Sequence, residues 1–370
     1  MRNAVFRTDA SVQIGTGHVM RCLTLADALR RKGIDSTFIC RDHPGHLATV
    51  IKERGYAVNM LPAHSGWQEN AAPGHLAHSA WLGSTQSMDS AACRPLLESL
   101  RPYWLIVDHY ALDECWEMSL RDCYTRLLVI DDLADRRHQC EVLLDQNLGH
   151  TEADYLYLTP TQCRRLIGPQ YALLRPEFSA TRDYSVLRRR SASLKYWLIT
   201  MGGVDSKNIT GKILDALAGI QLPKEGRITV IMGAKAPHLA VVQRQAAKIG
   251  VPAEVLCGVN DMARHMAEND LCIGAAGGTA WERCCLGVPT LLVVLAENQV
   301  SGANAIVRAG AAEFLALDRI GLDLPQWIRV FQEDPERLER MSQAGLAMTA
   351  GTGAEDVATF LVSGEYANGR

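Results

Sequence analysis

The chain has 370 residues, 48% of them hydrophobic and 21% charged, a balance that excludes intrinsic disorder and fibrous repeats. At roughly 150 residues per domain, this length predicts two to three domains. Lys and Arg number 38 against 41 Asp and Glu, a formal charge of −3, so no global field draws the chain to nucleic acid or an anionic membrane, and any anion must be held locally.

At the N-terminus, Ala4-Val5-Phe6 is broken by Arg7 and Asp9, without the apolar core of a signal peptide. The longest apolar runs, such as Leu291 to Ala296, fall far below the roughly 20 residues of a membrane span. A cytoplasmic monomer is expected. The eleven cysteines show no C-x-x-C pair and read as reduced thiols used mostly as small core residues, not as a disulfide framework or a zinc site.

Short runs rich in Val, Ile and Leu alternate with amphipathic stretches, the pattern of parallel sheets covered on both faces by helices. In the first half, strands are predicted over Ala4–Arg7, Ser36–Cys40, Ala57–Leu61, Trp104–Val107 and Leu127–Ile130. A helix over Val19–Arg31 puts Cys22, Leu25, Ala26 and Leu29 on one face, ends on basic residues and stops at Gly33. From Tyr171 to Lys195 the periodicity fades into a polar stretch with Arg188-Arg189-Arg190, read as a linker with a solvated basic face. The second half predicts strands over Tyr196–Met201, Ile228–Met232, Ala253–Leu256, Leu271–Ile273 and Thr290–Val294. The expected architecture is α/β, with Rossmann-like domains over 1–185 and 193–350 facing each other across a ligand cleft, and 351–370 as a C-terminal tail or helix.

Several segments after predicted strands carry chemistry. Arg7-Thr8-Asp9-Ala10-Ser11 runs through Gly15-Thr16-Gly17-His18 into a helix. Its glycines allow a tight loop against a ligand, and His18 stands where the positive end of the helix dipole opposes a second positive charge, as suits a general base. Met201-Gly202-Gly203-Val204-Asp205 offers backbone N–H groups to a diphosphate, although it is neither a Walker loop nor G-x-G-x-x-G, and it reads equally as a tight strand-to-helix turn. Gly277-Gly278-Thr279 opens another helix, with Glu282 one turn on, placed to accept both hydroxyls of a ribose. Asn298 and Gln299 follow the next strand at the same rim. Asp108-His109-Tyr110 and the acids of Asp131 to His138 end strands of the first half. They read either as ligands for Mg²⁺ or a sugar, or as caps and ion pairs, the reading preferred for Asp132 and Arg137.

Together these segments resemble the UDP-sugar hydrolases of pseudaminic acid biosynthesis, which act on UDP-2,4-diacetamido-2,4,6-trideoxy-β-L-altropyranose. The resemblance rests on R-x-D-A-S-x-x-I-G-T-G-H-V-M-R-C-L-T-L-A from Arg7 to Ala26, W-L-G at 81 to 83, and I-D-D-L-A-D-R-R-H-x-C from Ile130 to Cys140. It continues through L-L-D-Q-N at 143 to 147, G-P-x-Y-A-L-L-R-P-E-F from Gly168 to Phe178, and G-A-A-G-G-T-A-W-E-R from Gly274 to Arg283. The last motif is shared with wider UDP-sugar glycosyltransferases. The resemblance implies a GT-B architecture, UDP held by the C-terminal domain, and metal-independent hydrolysis at the anomeric carbon with inversion, with His18 matching the family's essential histidine.

The candidate residues are then His18 as catalytic base, and Gly202, Gly203, Gly277, Gly278, Thr279, Glu282, Asn298 and Gln299 for UDP. Asp9, Gly15, Gly17, Arg21, His109 and Tyr110 are candidates for the sugar. No metal or other cofactor is expected, and the partners are a UDP-sugar and water. Two alternatives stay open. A UDP-sugar glycosyltransferase would use a lipid or small acceptor, although no apolar basic patch for a lipid is evident in the first half. A non-catalytic UDP-sugar sensor would have no need of His18.

Overall fold

The computed structural model describes residues 2–63, 76–190, 194–220, 225–234 and 236–363. Two units divide the chain, Met1–Leu173 with Thr352–Arg370, and Leu174–Gly351. The first contains β1 (Asn3–Thr8), β2 (Asp35–Arg41), β3 (Ala57–Leu61), β4 (Trp104–Asp108), β5 (Arg126–Ile130), β6 (Val142–Asp145) and β7 (Arg164–Ile167). They pair in parallel in the order β3-β2-β1-β4-β5-β6-β7. The second contains β8 (Tyr196–Thr200), β9 (Arg227–Met232), β10 (Ala253–Cys257), β11 (Leu271–Ala275), β12 (Thr290–Val293) and β13 (Ala312–Phe314), parallel in the order β10-β9-β8-β11-β12-β13.

Side-chain alternation explains why the central strands carry apolar residues on both faces. Ala4 and Phe6 of β1 enter one core layer with Val19, Cys22 and Leu29, while Val5 enters the opposite layer with Leu105 and Val107. Both faces are buried, so no polar stripe survives. In each unit the order reverses at one place, between β1 and β4 and between β8 and β11. At such a switch point the connections leave in opposite directions, and a crevice opens outside the carboxyl ends of the strands. The segments following β1, β4, β8 and β11 are the ones in which the sequence concentrates glycines, acids and His18.

The linker expected over 171–195 is corrected. Residues Pro176–Arg188 form a helix of the second unit, and the boundary falls at Leu173 and Leu174 instead of between 185 and 193. Of its basic end, expected as a solvated face, only Arg190 is exposed. Arg188 pairs with Asp270 at 2.7 Å, and Arg189 donates to the carbonyls of Met266 (3.1 Å), Ala267 (3.1 Å) and Asn269 (2.6 Å). Those carbonyls end the helix Met262–Ala267, where a cation meets the negative end of the dipole. Residues 191–193 and 364–370, parts of the expected linker and tail, lie outside the described residues.

The expected tail contains the helix Gly353–Ser363, which returns to the first unit. It buries Val357, Ala358 and Leu361 in the layer formed by the helix Gly17–Arg31, and Trp104 donates to the Leu361 carbonyl at 3.0 Å. All eleven cysteines are free thiols, and all but Cys115 and Cys257 are buried. Among the described residues, no helix is long and apolar enough to cross a membrane.

Candidate active site

After β1 the chain turns tightly. Gly15 has φ +81°, a left-handed conformation that suits glycine, and its N–H donates to the Ser11 carbonyl at 2.8 Å. Ser11 Oγ accepts from the N–H groups of Gln13 (3.1 Å) and Ile14 (2.9 Å). The helix opens at Gly17, so His18 lies in its first turn. Its Nδ1 is 2.6 Å from Oδ1 of Asp108, the last residue of β4.

Burial alone would raise the Asp108 carboxyl, but Arg21 and His18 outweigh it and hold it well below the usual carboxylate range. An ionised carboxylate only accepts, so the proton of a neutral His18 ring sits on Nδ1 and the lone pair on Nε2. Arg21 also holds Asp108, with Nε on Oδ2 at 2.6 Å and Nη2 on Oδ1 at 2.7 Å, the oxygen that His18 shares, and reaches Asp132 at 2.9 Å. The Tyr110 hydroxyl donates to Asp132. Its ring stands edge-on to His18, centroids 4.6 Å apart at 83°, and Trp81 stacks against Tyr110 at 5.6 Å. His78 lies 4.3 Å from Trp81. An imidazole oriented by a buried carboxylate and flanked by aromatic faces is suited to take a proton beside a sugar-sized ligand.

Two expected sugar contacts, Asp9 and His109, are turned into the interior, and a third, Arg21, is ion-paired. Asp9 is 0% exposed: it pairs with Arg7 at 2.7 Å, accepts from the Arg41 N–H at 2.6 Å, and faces His109 Nε2 at 3.2 Å. His109 Nδ1 accepts from the Ala111 N–H at 3.1 Å, so both ring nitrogens serve the interior. The Arg21 guanidinium is committed to Asp108 and Asp132. These side chains hold the site together from below, because a buried charge must be paired and hydrogen-bonded. Gly15, Gly17 and Tyr110 remain around His18.

The second unit offers two strand-to-helix loops at its switch point. Beyond β8, Gly202 has φ +83°, and a Cβ at Gly233 would lie 2.0 Å from the Gly203 carbonyl oxygen. The following helix, Ile209–Ala218, is capped by its own sequence. Asp205 accepts from the N–H groups of Ile209 (2.8 Å) and Thr210 (2.9 Å), and Asn208 from Gly211 (3.2 Å). That helix start is already satisfied, which reduces the part expected of Gly202 and Gly203 to their own backbone.

Beyond β11 the situation is reversed. The helix Thr279–Leu286 begins after Gly277-Gly278 with no side-chain cap; the Ala280 and Trp281 N–H groups bond to the Gly277 and Gly278 carbonyls at 2.8 and 3.2 Å, which leaves those of Gly277, Gly278 and Thr279 for a ligand. Glu282 lies in its first turn. Burial raises its carboxyl, Arg175 and Arg283 lower it, and the balance is a pKa pushed up to about 7. Arg175 Nη2 stands 3.7 Å from Glu282 Oε1, bringing the L-L-R-P-E-F motif to the G-G-T loop. Gln299 Nε2 would lie 3.7 Å from a Cβ at Gly277, while Asn298 is exposed at the rim.

Residues 197–358 match the glycosyltransferase family 28 C-terminal domain. The crystal structure of MurG from Acinetobacter baumannii superposes with a TM-score of 0.69 at 17% identity, covering 98% of this chain and 99% of that one. The fold class is GT-B, built from two parallel α/β units. The sequence resemblance is borne out over most of the chain: it is 26% identical over 83% of its length to the UDP-2,4-diacetamido-2,4,6-trideoxy-beta-L-altropyranose hydrolase of Campylobacter jejuni, 96% of which is covered. It is also 30% identical over 52% of its length to the spore coat polysaccharide biosynthesis protein SpsG of Bacillus subtilis, and 23% identical over 79% to an uncharacterized protein of Methanocaldococcus jannaschii. The alignments span 57% and 55% of those two proteins, little more than half their length.

Sequence reasoning named Asp108 only as a possible ligand or cap and gave no role to Trp81, His78 or Arg283. The signal for Asp108 was its place at the end of β4. Once β4 lies beside β1, a carboxylate there faces the start of the helix that follows β1.

Proposed function

We propose that the protein hydrolyses a UDP-sugar, UDP-2,4-diacetamido-2,4,6-trideoxy-β-L-altropyranose, by attack of water at C1 with inversion and release of UDP. The observation that carries this reading is the His18–Asp108 pair, which directs the imidazole proton to Nδ1 and keeps Nε2 for a water. In this reading the water oxygen bonds to C1 while the bond from C1 to the diphosphate oxygen breaks, its electron pair leaving with UDP. His18 Nε2 takes the proton from water, and the Asp108 carboxylate stabilises the imidazolium that forms. The loop that opens the Thr279 helix receives the diphosphate through the N–H groups of Gly277, Gly278 and Thr279 and the helix dipole, so the developing charge is met without a metal. Glu282 accepts the ribose hydroxyls. The resemblance to the Campylobacter hydrolase supports the choice of sugar.

The family 28 match and the likeness to MurG favour a second reading, transfer of the sugar to an acceptor other than water. The test is turnover of the 2,4-diacetamido substrate and of UDP-GlcNAc by purified protein with no acceptor present. Release of UDP and reducing sugar from the first supports the hydrolase reading. UDP release only after an acceptor is added supports the transferase.

A further inference from the structure

The Thr279 helix carries a buried cation that the UDP reading leaves unused. Arg283 is 1% exposed and stands one turn after Thr279, and helical side chains lean toward the N-terminus of their own helix. Its guanidinium therefore runs back under the Gly277-Gly278-Thr279 loop. Nη2 donates to the Ala275 carbonyl at 2.8 Å and Nη1 to Thr279 Oγ1 at 3.2 Å. Gly274 makes the room, since a Cβ there would lie 2.7 Å from Nη1. Among the described residues Arg283 has no carboxylate partner, and its buried Nε has no acceptor. The other fully buried arginines, Arg7 and Arg41, are both paired with Asp89, at 2.7 Å and 2.5 Å.

A buried cation without a counter-ion is unfavourable by itself and becomes favourable when an anion arrives next to it. We infer that Arg283 is a positioning and specificity residue that makes this loop select a nucleoside diphosphate over the uncharged nucleoside, through a buried positive charge that is not ion-paired with a carboxylate among the described residues. The inference rests on the reading of the Thr279 helix as the UDP site. Arg283 acts from behind the loop: it keeps the Ala275 carbonyl turned inward, away from the anion. By donating to Thr279 Oγ1 it leaves that hydroxyl's own proton to point at a ligand oxygen. In the hydrolysis, the same charge favours UDP as leaving group, because the charge on the diphosphate grows as the bond to C1 breaks.

Titration calorimetry with UDP and with uridine, on wild type, Arg283→Met, Arg283→Lys and Gly274→Ala, tests this. Arg283→Met is expected to weaken UDP by at least about tenfold while uridine stays within about twofold. Arg283→Lys keeps the charge and is expected to retain more UDP affinity than Arg283→Met. Gly274→Ala, which keeps the arginine but displaces its head, is expected to weaken UDP selectively. If Arg283→Met fails to fold by circular dichroism, the other two variants carry the test. A folded Arg283→Met protein that binds UDP within about twofold of wild type, or loses UDP and uridine equally, overturns the inference. Wild-type protein that binds no UDP overturns the underlying site reading instead. Binding weakened by Glu282→Ala but not by Arg283→Met removes only the role of Arg283.

Discussion

The two switch points of this chain occupy equivalent places in equivalent sheets and are furnished in opposite ways. After β1 and β4 the side chains are charged and mutually paired: His18, Asp108, Arg21 and Tyr110, with Asp132 from the end of the neighbouring β5, form a connected set in which each orients the next. After β11 the loop is Ala, Gly and Thr, the helix start carries no side-chain cap, and the Arg283 guanidinium lies beneath it. The first arrangement suits control of where a proton sits, which needs an imidazole held in one tautomer. The second suits an anion, which needs close backbone approach and positive potential. One strand order thus serves two chemistries, and the residues placed at the crevice decide which.

If the division is right, damage to the first region strikes turnover and damage to the second strikes UDP affinity. The largest effect is expected from His18→Leu: turnover falls by about 10²–10⁴-fold with UDP affinity nearly unchanged. Steady-state kinetics beside calorimetry checks it, and turnover within about threefold of wild type in a folded protein would remove His18 from the base's role.

Asp108→Asn is expected to lower turnover by at least about tenfold, since an amide can donate to Nδ1 and fix the wrong tautomer. It also strips Arg21 of a partner, so the melting temperature should fall. The carboxyl is held below its unfolded value, so its stabilisation is present above about pH 4 and lost as pH falls toward the folded value. Asp108→Asn should flatten the acid side of the stability curve.

Glu282→Ala is expected to weaken UDP by roughly tenfold without changing the pH dependence of the chemical step. The sign of the Glu282 shift gives a finer check. An acid with its folded pKa raised to about 7 binds its proton more tightly in the native state, so the free protein loses stability as pH rises from about 4.3, the unfolded value, to the folded one. The ionised form is the better acceptor for ribose hydroxyls, so UDP affinity should rise over the same range, and the rise should be smaller in Glu282→Gln. The smallest effect is expected from chelation: activity should survive EDTA, and a loss restored by Mg²⁺ would move the neutralising role away from the Thr279 helix.

Much of this was legible in the sequence because the main strands are apolar on both sides and their ends carry glycines. β6, β7 and β13 escaped notice for physical reasons. β6 and β13 are only four and three residues long, and β7, an edge strand, begins with Arg164-Arg165, so none has the apolar length that marks a buried strand. The polar helix Pro176–Arg188 passed for a linker because few of its residues are buried, Phe178 and Ser185 among them, and because its arginines spend their charge on carbonyls distant in sequence. His18, the G-G-T loop and Glu282 stood out by local spacing. The direction of Asp9 and His109 into the interior did not, since Asp9 meets the Arg41 backbone and the His109 ring only once β1 pairs with β2 and β4.

The central claim is that water, not another acceptor, attacks the anomeric carbon. Reaction of the purified protein with the 2,4-diacetamido UDP-sugar in ¹⁸O-water, with no acceptor added and products read by mass spectrometry, tests it directly. The account predicts one ¹⁸O in the released sugar and none in UDP. Label in the UDP phosphate, or no UDP released until an acceptor is supplied, would contradict it.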